Sequence, residues 1–350
     1  MVRFVKWTSF WCCIIFMGPM VGGTPTYAAD LFEDRTAPMV GPADTSVTGT
    51  QSSPRHNDAQ TYHLAAWISG GVRFDALDWN IAGTGSNPNV LSELEWSQVT
   101  SYQLSFGGRA TVGRHFYTRG HINYAWIQSG EVRDSDYGGD NRTLEYSRSI
   151  SETDNDHLWD VEAGAGYPFT FLNDRFFLAP MLGVSIHTQD FRITDGQQII
   201  STGNPPAGPL DAGLNSRYNA EWFGLWAGCD LRYEMAAFHQ SLPAMSWGLA
   251  LAYHFSVDYT AQANWNLRSD FQHPVSFEHE ADGQGISVGA EWLIPFGEHF
   301  KMRFNFNYAR WWTDHGVDTV YHATGNILTT RLNEVNWHSH SLMAGVVYAF

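Results

Sequence analysis

Hydrophobic and polar positions alternate with period two over long stretches of this chain, which predicts β-strands with two unlike faces. Tyr102, Leu104, Phe106, Ala110 and Val112 face one way while Gln103, Ser105, Gly107, Arg109 and Thr111 face the other. Met302, Phe304, Phe306 and Tyr308 oppose Arg303, Asn305 and Asn307 in the same manner. Trp247, Leu249, Leu251, Tyr253, Phe255 and Val257 oppose Gly248, Ala250, Ala252, His254, Ser256 and Asp258. Ten strands are predicted, at residues 62–80, 91–112, 115–133, 142–167, 174–194, 216–235, 246–264, 276–294, 299–320 and 331–350. A soluble sandwich would use strands of roughly five or six residues, and these run far longer. No helical stripe accompanies them, nor any apolar run near the ~18 residues of a spanning helix.

The connections alternate in length. Residues 113–114, 168–173, 236–244 and 295–298 are short turns; 83–88, 134–141, 195–215, 266–274 and 314–330 are long loops. Short turns at one end and long loops at the other is the layout of an outer-membrane barrel. Lipid cannot hydrogen-bond a free strand edge, so a sheet in a bilayer must close. The expected fold is therefore all-β: one transmembrane, antiparallel, up-and-down barrel of about ten strands, with both termini on the short-turn side. Greasy faces then look to lipid. Arg73, Asp75, Arg109, Arg119, His121, Asp160, Glu162, Asp230, Arg232, His254, Asp258, Glu291 and Arg303 fall on the lumen face. Charges of both signs in such a place must be paired or hydrated. Eight strands give a filled interior and 16 to 18 an open channel, so ten predict a narrow lumen plugged by charge. Strands of ~18 residues, at ~3.3 Å each and tilted about 40°, outreach the ~25 Å apolar band by about 20 Å.

Composition adds compartment and partners. Of 350 residues, 36 are acidic and 20 basic, and a net charge of -16 with no basic stripe opposes nucleic-acid binding. Arg3 and Lys6, an apolar stretch at 7–21 and Thr26-Tyr27-Ala28 read as a signal peptide over residues 1–28. Residues 29–58, rich in Pro, Ser, Thr and Gly, read as a flexible arm, leaving 59–350 for the barrel. Cys12 and Cys13 fall in the leader, so Cys229 stands alone on a lipid-facing position and neither an internal disulfide nor a CxxC zinc site is possible. No cofactor motif is present; Gly164 and Gly166 sit mid-strand, where small residues help a barrel curve. The alternate Leu342, Ala344, Val346, Tyr348 and Phe350 resemble the insertion signal of bacterial outer-membrane proteins. Outer-membrane lipid, and small solutes or ions, are the partners this implies.

Two family resemblances sharpen the picture. The strand count, Leu91-Ser92-Glu93-Leu94-Glu95-Trp96 opening the second strand and Asp134-Ser135-Asp136-Tyr137 at the top of the third resemble the omptins, ten-stranded outer-membrane proteases. Residues 87–94, 141–148, 264–271 and 331–337 (Asn-Pro-Asn-Val-Leu-Ser-Glu-Leu, Asn-Arg-Thr-Leu-Glu-Tyr-Ser-Arg, Asn-Trp-Asn-Leu-Arg-Ser-Asp-Phe and Arg-Leu-Asn-Glu-Val-Asn-Trp) are similar to the Protochlamydia outer membrane protein family, which is regarded as porin-like. The omptin resemblance implies an Asp-x-Asp pair facing an Asp-x-His pair, together activating a water. Asp134 and Asp136 match the first half. Where the second half belongs the chain reads Trp265-Asn266-Leu267, and the nearest substitutes, Asp270 and His273, are spaced by three rather than two. The plainer reading of Asp134 and Asp136 is a solvated acidic loop.

Other constellations are weaker. Asp134, Asp136, Asp140 and Glu145 have an EF-hand-like spacing that would suit a divalent cation, although strands rather than helices flank it. His338 and His340 share a strand face and could clamp a metal or merely fill a polar lumen. Residues 311–315 and the upper tyrosines read as a sugar or lipid site, or as an aromatic girdle. The sequence thus predicts a porin-like narrow or gated channel or a structural surface barrel. Its rivals are an omptin-like hydrolase with a degenerate site and an adhesin or ligand-binding barrel using its long loops, above all 195–215.

Overall fold

The computed structural model describes residues 62–203, 205–235 and 244–350; the predicted leader and arm, and residues 236–243 of one turn, lie outside them. Fourteen strands follow one another: β1 (Tyr62–Ile81), β2 (Ser92–Val112), β3 (Phe116–Gly139), β4 (Thr143–Glu152), β5 (His157–Gly166), β6 (Phe169–Phe171), β7 (Phe176–Ser201), β8 (Gly208–Pro209), β9 (Ser216–Glu234), β10 (Ser246–Asn264), β11 (Phe277–Pro295), β12 (Phe300–Thr313), β13 (Gly316–Tyr321) and β14 (Ile327–Ala349). Every pairing is antiparallel, and they reduce to ten staves. β4 and β5 both lie between β3 and β7, and β12 and β13 both lie between β11 and β14. Each couple is one interrupted stave. β6 and β8 are short ladders along β7. β1 pairs β14 from Ala65↔Ala349 to Ile81↔Leu332, which closes the barrel.

Three expected loops are shorter than predicted because their strands continue. β3 runs to Gly139, and the turn to β4 is tight, with Asn141 and Arg142 both left-handed (φ 56° and 61°). β7 continues to Ser201, and β14 starts at Ile327 after the β13 hairpin.

The two ends of the barrel are patterned oppositely. On the short-turn side the outer face is apolar: Phe223, Leu225 and Tyr233 of β9, Phe300, Met302, Phe304 and Phe306 of β12, and Trp247, Tyr253 and Phe255 of β10 are all exposed. Eleven residues from Phe223 to Tyr233, at ~3.3 Å each and about 40° of tilt, give a band roughly 28 Å tall, the height a bilayer core asks for. Toward the loops the outer face turns polar, with Arg217, Asn219, Glu221, Thr260 and Gln262 exposed. There the apolar side chains turn inward instead, and this part of the barrel stands outside the membrane.

Bulges help make the switch. Between β9 and β10 the register slips between His254 and Ser256, and a slip of one residue moves every later side chain to the opposite face. Val257, expected to face lipid, is therefore buried in the interior, and Asp258, expected in the lumen, lies exposed on the outer wall. A second bulge sets Ser97 and Gln98 of β2 against Ala76, with Gln98 in the left-handed region (φ 53°). His338 and His340 also correct an expectation: on β14 the inward residues are Trp337, Ser339 and Ser341, so both histidines face outward, His340 stacking on Phe74 at 5.1 Å. Cys229 falls on the lipid side of β9 between inward Gly228 and Asp230. Gly164 is required by an indole: a Cβ there would sit 2.4 Å from the Trp226 ring, which lies across the strand.

Candidate functional site

The lumen has two storeys. The lower, inside the apolar band, is ionic. Arg73, 2% exposed, donates from Nε to Asp75 at 2.9 Å and from Nη1 to Asp160 at 2.7 Å. Asp160 also meets His187 Nδ1 at 2.9 Å and Asn123 at 3.2 Å. Arg119 bridges Glu162 (2.9 Å) and Asp230 (3.3 Å), and Asp230 accepts the Tyr117 hydroxyl at 2.7 Å. Glu291 is shared by Arg109 (2.5 Å) and Arg303 (3.0 Å). Arg232 has no ion pair among the described residues and lies 4.0 Å over the Phe177 ring. Among the described residues this storey holds cavities of about 80 and 90 Å³. The first lies among Arg109, Arg119, Arg232, Arg303, Asp230 and Glu291, the second among Arg73, Asp160, Glu162, His187 and Trp337, and His121 lines both. At ~30 Å³ per water each holds two or three molecules.

The upper storey is aromatic. Trp79, Trp96, Tyr218, Trp222, Tyr259, Phe191, Trp311 and Trp337 are 0–4% exposed and belong to one cluster reaching across the interior. Trp222, Trp311 and Trp337 lie 5.9–6.1 Å apart between ring centroids; Trp96 meets Phe191 and Tyr218 at 4.9 Å. Polar atoms stitch the storeys together. Trp337 Nε1 donates to Asp75 at 3.0 Å, Trp222 Nε1 to Gln189 at 2.9 Å, and His254 packs 4.1 Å from Trp311. Residues contributed by β1, β2, β7, β9, β10, β12 and β14 thus fill the cross-section. Trp311, half of the expected girdle or sugar site, belongs to this core, while Trp312 is half-buried.

Above the aromatic layer, at the mouth, Asp134 and Asp136 project inward from β3, beside Leu94 and Ser92 of β2 and Ser149 and Ser147 of β4. Trp265 hydrogen-bonds Asp134, and Ser92 and Ser147 hydrogen-bond Asp136. Burial, then the charge of Asp136, holds the Asp134 carboxyl well above the ordinary carboxylate range. Burial raises Asp136 as well. The charge of Arg268 acts on both, although its ion pair among the described residues is with Asp270. Its guanidinium is forked onto Asp270 at 2.9 and 2.8 Å and lies 4.3 Å over Phe271. Those hydrogen bonds hold Asp270 down at about 2.

Asp270 and His273 therefore do not act as an acid–imidazole pair, since His273 Nδ1 bonds Asn264 at 2.8 Å instead. Nor are the four residues of the EF-hand-like spacing brought together. Asp140 accepts the Asn89 backbone N–H at 2.8 Å, and Glu145 is held by Arg148 at 2.7 and 2.8 Å, so neither joins Asp134 and Asp136. Among the described residues the three ligand groups close enough to share an ion are Asp156, His157 and Asp190, on the outer wall where the fourth stave breaks. His157 already spans both carboxylates at 3.0 and 3.1 Å, and Arg217 takes Asp156 at 3.1 Å.

The mouth has a definite pH signature. Raised carboxyls stabilise the fold in full below the ordinary carboxylate pKa and lose that contribution as pH rises. Asp134→Asn is thus expected to unfold at a higher temperature than the parent at pH 8, with the gap closing toward pH 3.5. A gap constant across that range would remove the buried, mutually repelling pair from the account. Asp270 runs the other way: its contribution is present above about pH 4 and lost as pH falls to about 2.

A family model described as Protochlamydia outer membrane protein matches residues 67–350. No curated protein matches the chain. Among solved structures, the outer membrane protease OmpT from Escherichia coli is 12% identical, with 82% of this chain and 97% of that chain covered and a TM-score of 0.68. The translocator domain of the autotransporter NalP from Neisseria meningitidis is 12% identical over 85% of this chain and 90% of that one, at a TM-score of 0.34. The outer membrane protein OprG from Pseudomonas aeruginosa is 11% identical over 83% and 95%, at 0.30.

Proposed function

This chain belongs to the Protochlamydia outer membrane protein family and is a bacterial outer-membrane β-barrel, and from that premise we propose that it is a sealed, structural surface barrel rather than an open pore. The reading rests on the aromatic cross-section. A solute moving along the axis would have to pass Trp222, Trp311 and Trp337, whose centroids stand about 6 Å apart. Those side chains are 0–1% exposed, and in a close-packed interior a rotamer change of one ring does not by itself clear a path past its neighbours. Below them every carboxylate of the ionic storey is held by at least one guanidinium or hydrogen bond. The barrel presents a stiff outer rim, and its partner surfaces are outer-membrane lipid at the band and whatever the rim meets above it.

Planar-bilayer recording of the refolded protein tests this. No stable unitary conductance is expected from the parent. Regular steps altered in selectivity by Arg109→Ala would replace the sealed barrel with the porin-like channel.

One observation favours a second reading, peptide hydrolysis at the mouth: Asp134 and Asp136 are neighbouring carboxyls, both raised chiefly by burial, in an omptin-like frame. Against it stands the lack of an imidazole paired with Asp270 among the described residues, where water activation needs a proton acceptor: Asp270 is held by Arg268 and His273 by Asn264. Incubation with a mixed peptide library decides, and cleavage that disappears in Asp134→Ala would establish the hydrolase.

A further inference from the structure

We propose that the lower cavity of the lumen binds one small monovalent anion of about the size of a halide ion, held by Arg109, Arg119, Arg232 and Arg303. Four guanidiniums line this space of about 80 Å³. The carboxylates in ion-pair contact with them are Glu162, Asp230 and Glu291, so this half of the storey carries one positive charge more than its own carboxylates, while Arg73 between Asp75 and Asp160 leaves the other half one negative charge over. Glu291 serves both Arg109 and Arg303. Arg119 takes Glu162 and Asp230. Arg232 is the member with no carboxylate among the described residues. His121, which also lines the cavity, can only add to the positive side.

A guanidinium inside a membrane barrel without a counter-charge carries a desolvation penalty. The Phe177 face at 4.0 Å offsets only part of it. Donors are also in hand: the Nε atoms of Arg109, Arg119 and Arg232 are buried without a hydrogen-bond partner. These three donors around a locally excess positive charge supply an anion's coordination shell, while the unpartnered acceptors Asp230 Oδ1 and Asn305 Oδ1 on the same lining call for a water beside it. The volume sets the size limit. It suits a halide ion with one or two waters, given ~30 Å³ per water.

The test is thermal unfolding of the full chain, refolded in detergent, in sodium salts of chloride, bromide, phosphate or gluconate at one ionic strength. Chloride and bromide are expected to raise the unfolding temperature by a few degrees over gluconate, saturating with concentration as a single site does. Arg232→Leu, which leaves three charges against three, is expected to lose the chloride dependence while being no less stable than the parent in gluconate. Crystals grown in bromide should show an anomalous peak between the four arginines, a readout that survives even where the variant refolds poorly. Equal unfolding temperatures in all four salts overturn the proposal, as does an undiminished chloride effect in Arg232→Leu or a bromide map empty at this cavity. Stabilisation by phosphate alone overturns the halide assignment.

Discussion

Replacing Arg73 with leucine is expected to destabilise the barrel by about 3–5 kcal/mol, the cost of stranding buried charge when one partner of an ion pair is removed. Its guanidinium is 2% exposed and reaches two carboxylates, Asp75 and Asp160, that come from β1 and β5. Without it both acids stay inside the band with only Trp337, His187 and Asn123 as donors. Urea unfolding of parent and variant in lipid vesicles measures the difference. Asp75→Asn combined with Asp160→Asn in the leucine background should recover much of it, since a neutral trio no longer carries unpaired charge. A loss below about 1 kcal/mol for Arg73→Leu would mean that water entering the second cavity solvates the acids, and the lower storey would be wet rather than ion-paired.

Trp311→Ala should cost a comparable ~3–5 kcal/mol through the opposite physics, a cavity left in an apolar core. Trp311 is fully buried and touches His187 at 4.7 Å, His254 at 4.1 Å and Trp337 at 5.9 Å. The control is Phe306→Ala on the same stave, 40% exposed on the lipid side, where no interior cavity forms. The same vesicle assay should show Trp311→Ala losing several-fold more stability than Phe306→Ala. Equal losses would mean that the upper storey is loosely filled, and the sealed reading would fall with it.

The barrel itself was legible in the sequence because period two survives wherever one face meets lipid. Phe304 and Phe306 against Arg303 and Asn305 announce a closed sheet without reference to any neighbour. The reversal above the membrane was not legible, for a specific reason: alternation is blind to a single extra residue. Val257 and Asp258 continue the Trp247–Phe255 pattern on paper, and one bulge exchanges their faces. Trp79, Trp96 and Trp222 were passed over as core because a greasy residue on an outer-membrane strand reads first as lipid-facing. Their alternation with Asn80, Glu95 and Glu221 was the available signal. At the mouth, Asp134 and Asp136 stood out as a pair, but Arg268, whose charge acts on both, did not. An omptin-like spacing calls for an acid and an imidazole, whereas the loop after β10 ties Asp270 to Arg268 two residues away.

The opposed patterning of the two ends also fixes how deep the molecule floats. Shifting it by one residue pair outward would lift a ring of exposed phenylalanines and tryptophans out of the hydrocarbon; shifting it inward would drag Asp258 and Glu221 below the headgroups. A uniform greasy cylinder would tolerate either displacement and adapt to bilayers of differing thickness. This one has a waterline written into its wall, so its rim stands at a set height above the cell surface, whatever lipids surround it.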